Sequence, residues 1–252
     1  MKDKNDWLYG INTVNEALLA GSRITSVYVS DTTRNKRIKA VIDYARSSGI
    51  QVKTVASGFF SRFPDAVHQG ICASCIPKVL FTIDVLYKQA IKKTKTPCFI
   101  LLDQILDPRN LGAILRASDC GGVSGVIIPE YNSSGITPLV EKCSSGAAEH
   151  IPIAMVTNIK HAIKFMQDNA IIVIGADADG SVSLWDQKLN CSCAMVFGSE
   201  GKGLRRTVRD NCDILVKLPM SGHVNSLNVS VAAGIFIFER NRQLSIKSQN
   251  NI

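Results

Sequence analysis

Three loops in the second half of the chain hold most of its chemistry-bearing residues. They are QILDPRNLGAILRASDCGG (104–122) after the strand-like run CFILLD, SEGKGL (199–204) after AMVFG, and MSGHVNSLNVSVAAG (220–234) after DILVKLP. Glycines at 198, 201 and 203, directly after an apolar run, let backbone approach a ligand more closely than side-chain-bearing residues would. A tight turn explains the same glycines equally well. Their spacing is not the dinucleotide fingerprint GxGxxG, and no Lys-Ser or Lys-Thr pair completes a phosphate-binding P-loop. His68, His150, His161 and His223 are scattered, and none pairs with cysteine or carboxylate at ligand spacing, so no metal is indicated. Cys72 and Cys75 have CxxC spacing, yet they sit in the strand-like GICASCI with no second pair at zinc-finger distance. The eight cysteines read as reduced thiols, mostly inside apolar segments.

At 252 residues, 46% hydrophobic and 20% charged, the chain has material for two modest domains and a globular balance. A formal charge of +8 favours a polyanionic partner, because neutralising phosphates releases condensed counterions. The N-terminal MKDKNDWLYG lacks the apolar centre of a leader peptide, and no stretch approaches the roughly 18 uninterrupted apolar residues of a membrane span. The expectation is a cytoplasmic protein that touches no membrane.

The elements that must position those loops follow from periodicity. Ile11, Val14, Ala17 and Leu18 at helical spacing predict a helix, with Thr13 to Glu16 as a capping box and Gly21 as its stop. ITSVYVS, IQVKTVA and GICASCI read as strands and RIKAVIDYARSSG as a helix, giving an α/β unit over residues 1–78. Residues 81–93 read as an amphipathic helix within a connection, 79–96, that ends in KKTKTP. From residue 97, CFILLD, GVIIP, IPIAMV, IIVIGA, AMVFG and DILVKLP alternate with helical stretches, which predicts a mainly parallel sheet covered on both faces. Such a sheet gathers ligands at the carboxyl ends of its strands, where the three loops fall. The polar end SIKSQNNI reads as a frayed tail.

LDPRNLGAILRASDCGG, VFGSEGKGL and LPMSGHVNSLNVSVAAG, in this order, closely resemble the three signature motifs of the SpoU/TrmH family of RNA 2′-O-ribose methyltransferases, over about residues 98–240. YGINTVNEALL near the start, HQGI at 68–71 and GAAEH at 146–150 resemble the RlmB branch of that family. The resemblance implies an α/β fold: a SPOUT catalytic domain over 97–252, its parallel sheet tied in a trefoil knot, behind a small L30e-like α/β domain over 1–78 that binds RNA. It further implies S-adenosylmethionine as cofactor, a homodimer with active sites at the subunit interface, and 2′-O-methylation of a guanosine in large-subunit rRNA. DNA is not an implied partner.

By the same resemblance Arg116 is the motif-one arginine, which family proposals make the base for the ribose hydroxyl. A guanidinium is effectively always charged, so ordinary arginine chemistry favours a fork onto phosphate instead, and both roles stand open. Asn110 and Glu200 match polar groups that orient the nucleotide or brace Arg116, and Ser226 and Asn228 match the polar pair opening the last helix. Gly198, Gly201, Leu218, Met220 and Leu227 match positions lining the adenosine pocket. Without the resemblance, Asn110, Ser226 and Asn228 read as helix caps, Glu200 as a solvated loop acid, Leu218 and Leu227 as core leucines, and Arg116 as an exposed helix residue. Two further readings stay open: the same chemistry on tRNA, and a catalytically silent RNA-binding or ribosome-assembly factor. The extra N-terminal domain favours rRNA, and intact polar residues in all three motifs favour an enzyme.

Overall fold

The computed structural model describes residues 6–21, 23–63 and 67–249, and it divides into two compact units. The first comprises Met1–Val79 with Ile136–His150, the second Leu80–Gly135 with Ile151–Ile252.

In the first unit, strand β1 (Asp6–Tyr9) leads into helix α1 (Ile11–Leu19), then β2 (Ile24–Ser30), α2 (Lys36–Ser47), β3 (Gln51–Val55) and β4 (Ile71–Cys75). The sheet order is β1-β4-β2-β3, with β4 antiparallel to both neighbours and β2 parallel to β3. Leu8, Val14, Leu18, Val27, Ile38, Val41 and Ile71 form its core. The helix α2 starts where Asn35 accepts a hydrogen bond from the Arg37 N–H, and it buries one apolar stripe, Ile38, Val41 and Ala45. The expected capping box on α1 does not form. The helix begins earlier, at Gly10 (φ 94°), its first N–H donates to Gln69 Oε1 at 3.0 Å, and Thr13 is buried inside it. Gly21 (φ 72°) does end it, its N–H returning to the Leu18 carbonyl.

The second unit opens with α3 (Ile83–Lys93), so the stretch 79–96 is largely helix, and its Leu86 and Ala90 are buried in the core. Then follow β5 (Cys98–Leu102), α4 (Pro108–Cys120) and β6 (Gly125–Pro129). The next helix, α5 (Pro138–Cys143), belongs to the first unit, where Arg23 meets Glu141 and Glu149. The second unit resumes with β7 (Ile153–Val156), α6 (Ile159–Asp168), β8 (Ile172–Ala176), β9 (Val182–Ser183), β10 (Cys193–Phe197), α7 (Arg206–Arg209), β11 (Ile214–Lys217) and α8 (Val229–Gln249). The helix α8 carries what was expected to be a frayed tail at least as far as residue 249, and residues 250–252 lie outside the described ones.

The seven strands pair in parallel throughout, in the order β7-β6-β5-β10-β8-β11-β9. Every residue of β5, β6 and β10 is buried, as a sheet covered on both faces requires. On one face Phe99, Leu101 and Val196 pack with residues of α3 and α6. On the other, Phe197 meets Phe236 of α8 edge-on at 5.4 Å, and α8 crosses α4 closely enough that a Cβ on Gly121 would lie 2.1 Å from Ile237. Among the described residues no helix is long and apolar enough to cross a membrane.

Candidate functional site

The carboxyl ends of β8, β10 and β11 open onto a cavity of about 700 Å³. Its wall is the turn that follows β10. Ser199 and Gly203 exchange two backbone hydrogen bonds of 3.0 and 2.9 Å, with Gly201 (φ 81°) and Gly203 (φ 65°) in left-handed backbone. A Cβ at Gly198 would sit 2.1 Å from the Gly203 carbonyl carbon, so the turn closes only because residue 198 has no side chain. This holds Glu200 at the tip.

Glu200 is where the three loops meet. Asn110 Nδ2 donates to its Oε2 at 2.9 Å, and Asn228 Nδ2 donates both to its Oε1 at 3.1 Å and to Asn110 Oδ1 at 2.8 Å. Each partner is placed by a helix start. Asp107 caps α4 through the Arg109 N–H, and Pro108 occupies the first turn, leaving Asn110 turned inward and 7% exposed. Asn228 caps α8, its Oδ1 accepting from the Ser230 N–H at 2.9 Å and hydroxyl at 2.6 Å. The cap of α4 is therefore Asp107 rather than Asn110, and of the two candidates at the start of α8 it is Asn228, not Ser226, that caps. One carboxylate with an amide donor on each oxygen keeps lone pairs that can accept a further hydroxyl proton.

Gly198, Glu200, Gly201, Leu218, Met220, Ser226 and Leu227 all line the cavity. Leu218 is half-buried and Leu227 is 42% exposed, so neither is an ordinary core leucine. Arg116 is exposed on α4, about 9 Å further along the helix axis than Asn110 at 1.5 Å per residue. It lines no part of the cavity.

Sequence reasoning missed the ion pair beneath this region. Asp103, the residue after β5, is fully buried, and Arg205 grips it through Nε at 2.9 Å, Nη2 at 2.6 Å and its backbone N–H at 3.2 Å. An acid closing an apolar strand run was the available signal, since a buried carboxylate requires a partner. Two of the histidines have structural places. His68 Nδ1 accepts from the Gly70 N–H at 3.0 Å while its ring stacks on Phe60, and His150 faces Glu16 at 3.0 Å. All eight cysteines are free thiols, and burial pushes Cys72, Cys75 and Cys212 up to about 12. Among the described residues no group of three or more His, Cys, Asp or Glu is placed to hold a metal ion.

Comparison with known proteins places this geometry. The profile of the SpoU rRNA methylase family matches residues 97–238, and that of the RNA 2′-O ribose methyltransferase substrate-binding domain matches residues 7–79. A Bacillus subtilis protein named as a TrmH family tRNA/rRNA methyltransferase, YacO, is 38% identical over 239 residues, 95% of this chain and 96% of its own. Among solved structures, the SpoU methyltransferase AviRb from Streptomyces viridochromogenes in complex with AdoMet matches with a TM-score of 0.79 at 20% identity, over 95% of this chain and 90% of its own. The A. aeolicus TrmH/SpoU tRNA modifying enzyme matches with a TM-score of 0.57 at 24% identity, over 65% of this chain and 86% of its own. At those identities the structural likenesses speak for the fold. The family rests on the profile across the second unit and on a relative matched along nearly the whole chain: this protein belongs to the SpoU/TrmH family of RNA methyltransferases.

Proposed function

We propose that the chain transfers a methyl group from S-adenosylmethionine to the 2′-hydroxyl of a guanosine ribose in large-subunit (23S) rRNA, as a cytoplasmic homodimer. The observation that carries this reading is the junction of Asn110, Glu200 and Asn228 beside the cavity, because it joins one polar group from each of three separated loops.

The cavity residues suit the cofactor. A volume of about 700 Å³ lies within the usual range for small-molecule sites, roughly 300–1,000 Å³. Leu218, Met220 and Leu227 offer apolar surface for an adenine, and the bare backbone at Gly198 and Gly201 admits close approach. The bound cofactor supplies an electrophilic methyl group on a positively charged sulfur. A ribose hydroxyl is a weak nucleophile, so the protein must align it and take its proton. Glu200, with its two amide donors, and Ser226 line the cavity and can hold that hydroxyl. Arg116 serves either as the base or, as guanidinium chemistry favours, by fixing the adjoining phosphate.

A second copy has a surface to cover. Residues 219–228 are exposed throughout, including Val224 at 73%, and Val231 and Phe238 of α8 are 49% and 51% exposed. Residues 97–252 as a trefoil-knotted catalytic domain fit the strand order, in which β10 enters between β5 and β8 and loop 218–227 lines the same cavity as turn 198–204. Residues 1–78 as the RNA-binding domain fit the substrate-binding profile over 7–79. For rRNA over tRNA, the supporting observation is coverage: the A. aeolicus tRNA-modifying structure matches 65% of this chain, whereas a structure named as an rRNA methyltransferase, from Sinorhizobium meliloti, matches 96%.

The test is to map ribose methylation in rRNA and tRNA from a strain lacking the protein, alongside calorimetry of the purified chain with S-adenosylmethionine. A guanosine signal in the large subunit that disappears, and returns with this chain, is the expected result. A missing tRNA signal would move the substrate to tRNA, and unchanged maps with no cofactor binding would leave the silent-factor reading. Arg116→Lys then separates its two roles. Lysine gives up a proton more readily but cannot make the planar fork, so recovery at raised pH marks a base and its absence marks phosphate positioning.

A further inference from the structure

The carboxyl ends of β5, β6 and β7 carry a second cleft, of about 270 Å³, that shares the 198–205 segment with the larger cavity: Leu204 lines one and Arg205 the other. Nothing in the methyl-transfer chemistry above uses this cleft. Its cations are Arg205 and Lys160, its exposed ring is Tyr131, and Gln104 and Asn132 complete the rim.

Arg205 is the best-placed of these. Asp103, with no solvent exposure, holds Nε and Nη2, so the guanidinium is fixed in orientation while its side chain stays 44% exposed. Among the described residues its Nη1 has no partner, which leaves donor capacity on a residue that lines the cleft. Burying a carboxylate to orient a surface arginine is costly, and the arrangement makes sense where the arginine must meet an anion in one geometry. Lys160 stands exposed in the first turn of α6. Tyr131 is 67% exposed, beside Asn132 at φ 56°, while Gln104 across the rim has φ 61°. Two of the five non-glycine residues with positive φ among the described residues thus border this one cleft, a local concentration of strained backbone of the kind found where a ligand is clamped.

Two cations with an exposed aromatic ring and amides match a phosphodiester joined to a base, because arginine and lysine neutralise the phosphate while a ring face stacks on any base. The volume is small for a cofactor and suits one nucleotide. We propose that this cleft seats a nucleotide of the RNA substrate flanking the methylated ribose, with its phosphodiester on Arg205 and Lys160 and its base against Tyr131. The proposal rests on the RNA methyltransferase reading and adds to it a second contact that sets the register of the strand.

The test uses the full chain with a fluorescent 12-nucleotide single-stranded RNA across a salt series, with calorimetry of S-adenosylmethionine as a separate readout. Arg205→Ala would strand a buried charge on Asp103, so the exposed positions carry the experiment. Tyr131→Ala is expected to weaken RNA binding about tenfold. Lys160→Ala should flatten the slope of log K against log salt by about one ion. Cofactor affinity should be unchanged in both. RNA affinity and salt slope equal to wild type in both variants, while wild type binds RNA, would overturn the cleft and leave the methyltransferase reading intact. Loss of RNA affinity in the variants with no cofactor binding by any form would keep the cleft and sink the methyltransferase reading.

Discussion

The molecule has two polar clusters built on opposite plans. In the first unit, Arg23, 7% exposed, spends every guanidinium nitrogen: on Glu141, on both oxygens of Glu149, on the Ile76 carbonyl at 3.1 Å and on Cys75 Sγ at 3.3 Å. Lys78 adds a fourth charge, 3.9 Å from Glu149. In the second unit, the junction at Glu200 joins one carboxylate to two neutral amides and lies beside an open cavity. The first cluster is saturated and dry, and it ties segment 136–150 to the strand start at Arg23. The second keeps acceptor capacity and access. Burial with full charge compensation marks a structural device, whereas unspent hydrogen bonding at a cavity marks a site.

The sharpest way to break this contrast is to remove the cation. Arg23→Ala leaves the buried acids Glu141 and Glu149 with Lys78 as their one neighbouring cation among the described residues, and the expected loss is about 3–5 kcal/mol of unfolding free energy. Urea denaturation of the full chain measures it, and cofactor affinity of the fraction still folded should match wild type. A loss under 1 kcal/mol would mean the cluster is wetter than its burial indicates and the contrast does not hold.

At the open cluster the same kind of change should do the reverse. Asn228→Ala removes two amide bonds at Glu200 and Asn110, and it is expected to lower kcat/KM on RNA about a hundredfold, as misplacement of a positioned group does. Stability should fall by only about 1 kcal/mol, the cost of the lost α8 cap. Asn228→Asp, which keeps the cap but sets two carboxylates side by side, should be equally inactive at neutral pH. A cap-only role would instead give Asn228→Asp near-normal turnover.

Legibility in the sequence followed locality. The runs ITSVYVS and GVIIP coincide with β2 and β6 because their patterns are self-contained. DWLY was missed as β1, since four residues carry little periodicity and its register is set by Cys75 and its neighbours far along the chain. The two-residue β9 was too short to read. Thr13 and Glu16 have the spacing of a capping box but sit inside a helix whose start is fixed by Gly10 and the distant Gln69. The placement of α5 in the first unit brings Glu141 to Arg23, a pairing no local pattern announces. The site residues were readable through family motifs, but not the way Asn110, Glu200 and Asn228 join, nor the grip of Arg205 on Asp103, which are contacts between remote segments.

The smallest expected effect is a pH dependence, and it tests whether the closed cluster is dry. Burial pushes Glu141 from its ordinary 4.5 up to about 7, against the pull of Arg23 and Lys78 and with the help of Glu149. The folded chain therefore keeps a proton on Glu141 that the unfolded chain has released, and stability from this group falls as pH rises from about 4.5 to about 7 and levels off above. Glu141→Gln cannot titrate, yet its amide oxygen can still accept from Arg23. The variant's stability curve should lack this part of the slope, so that wild type minus variant drops by on the order of 1–3 kcal/mol across that interval. Thermal or urea unfolding of both proteins at pH 4.5, 5.5, 6.5 and 7.5, about one unit apart to span the shift, gives the comparison. Parallel curves would show that Glu141 titrates alike in folded and unfolded chains. In that case solvent reaches the Arg23 cluster, and the difference between the two clusters would be one of charge rather than of burial.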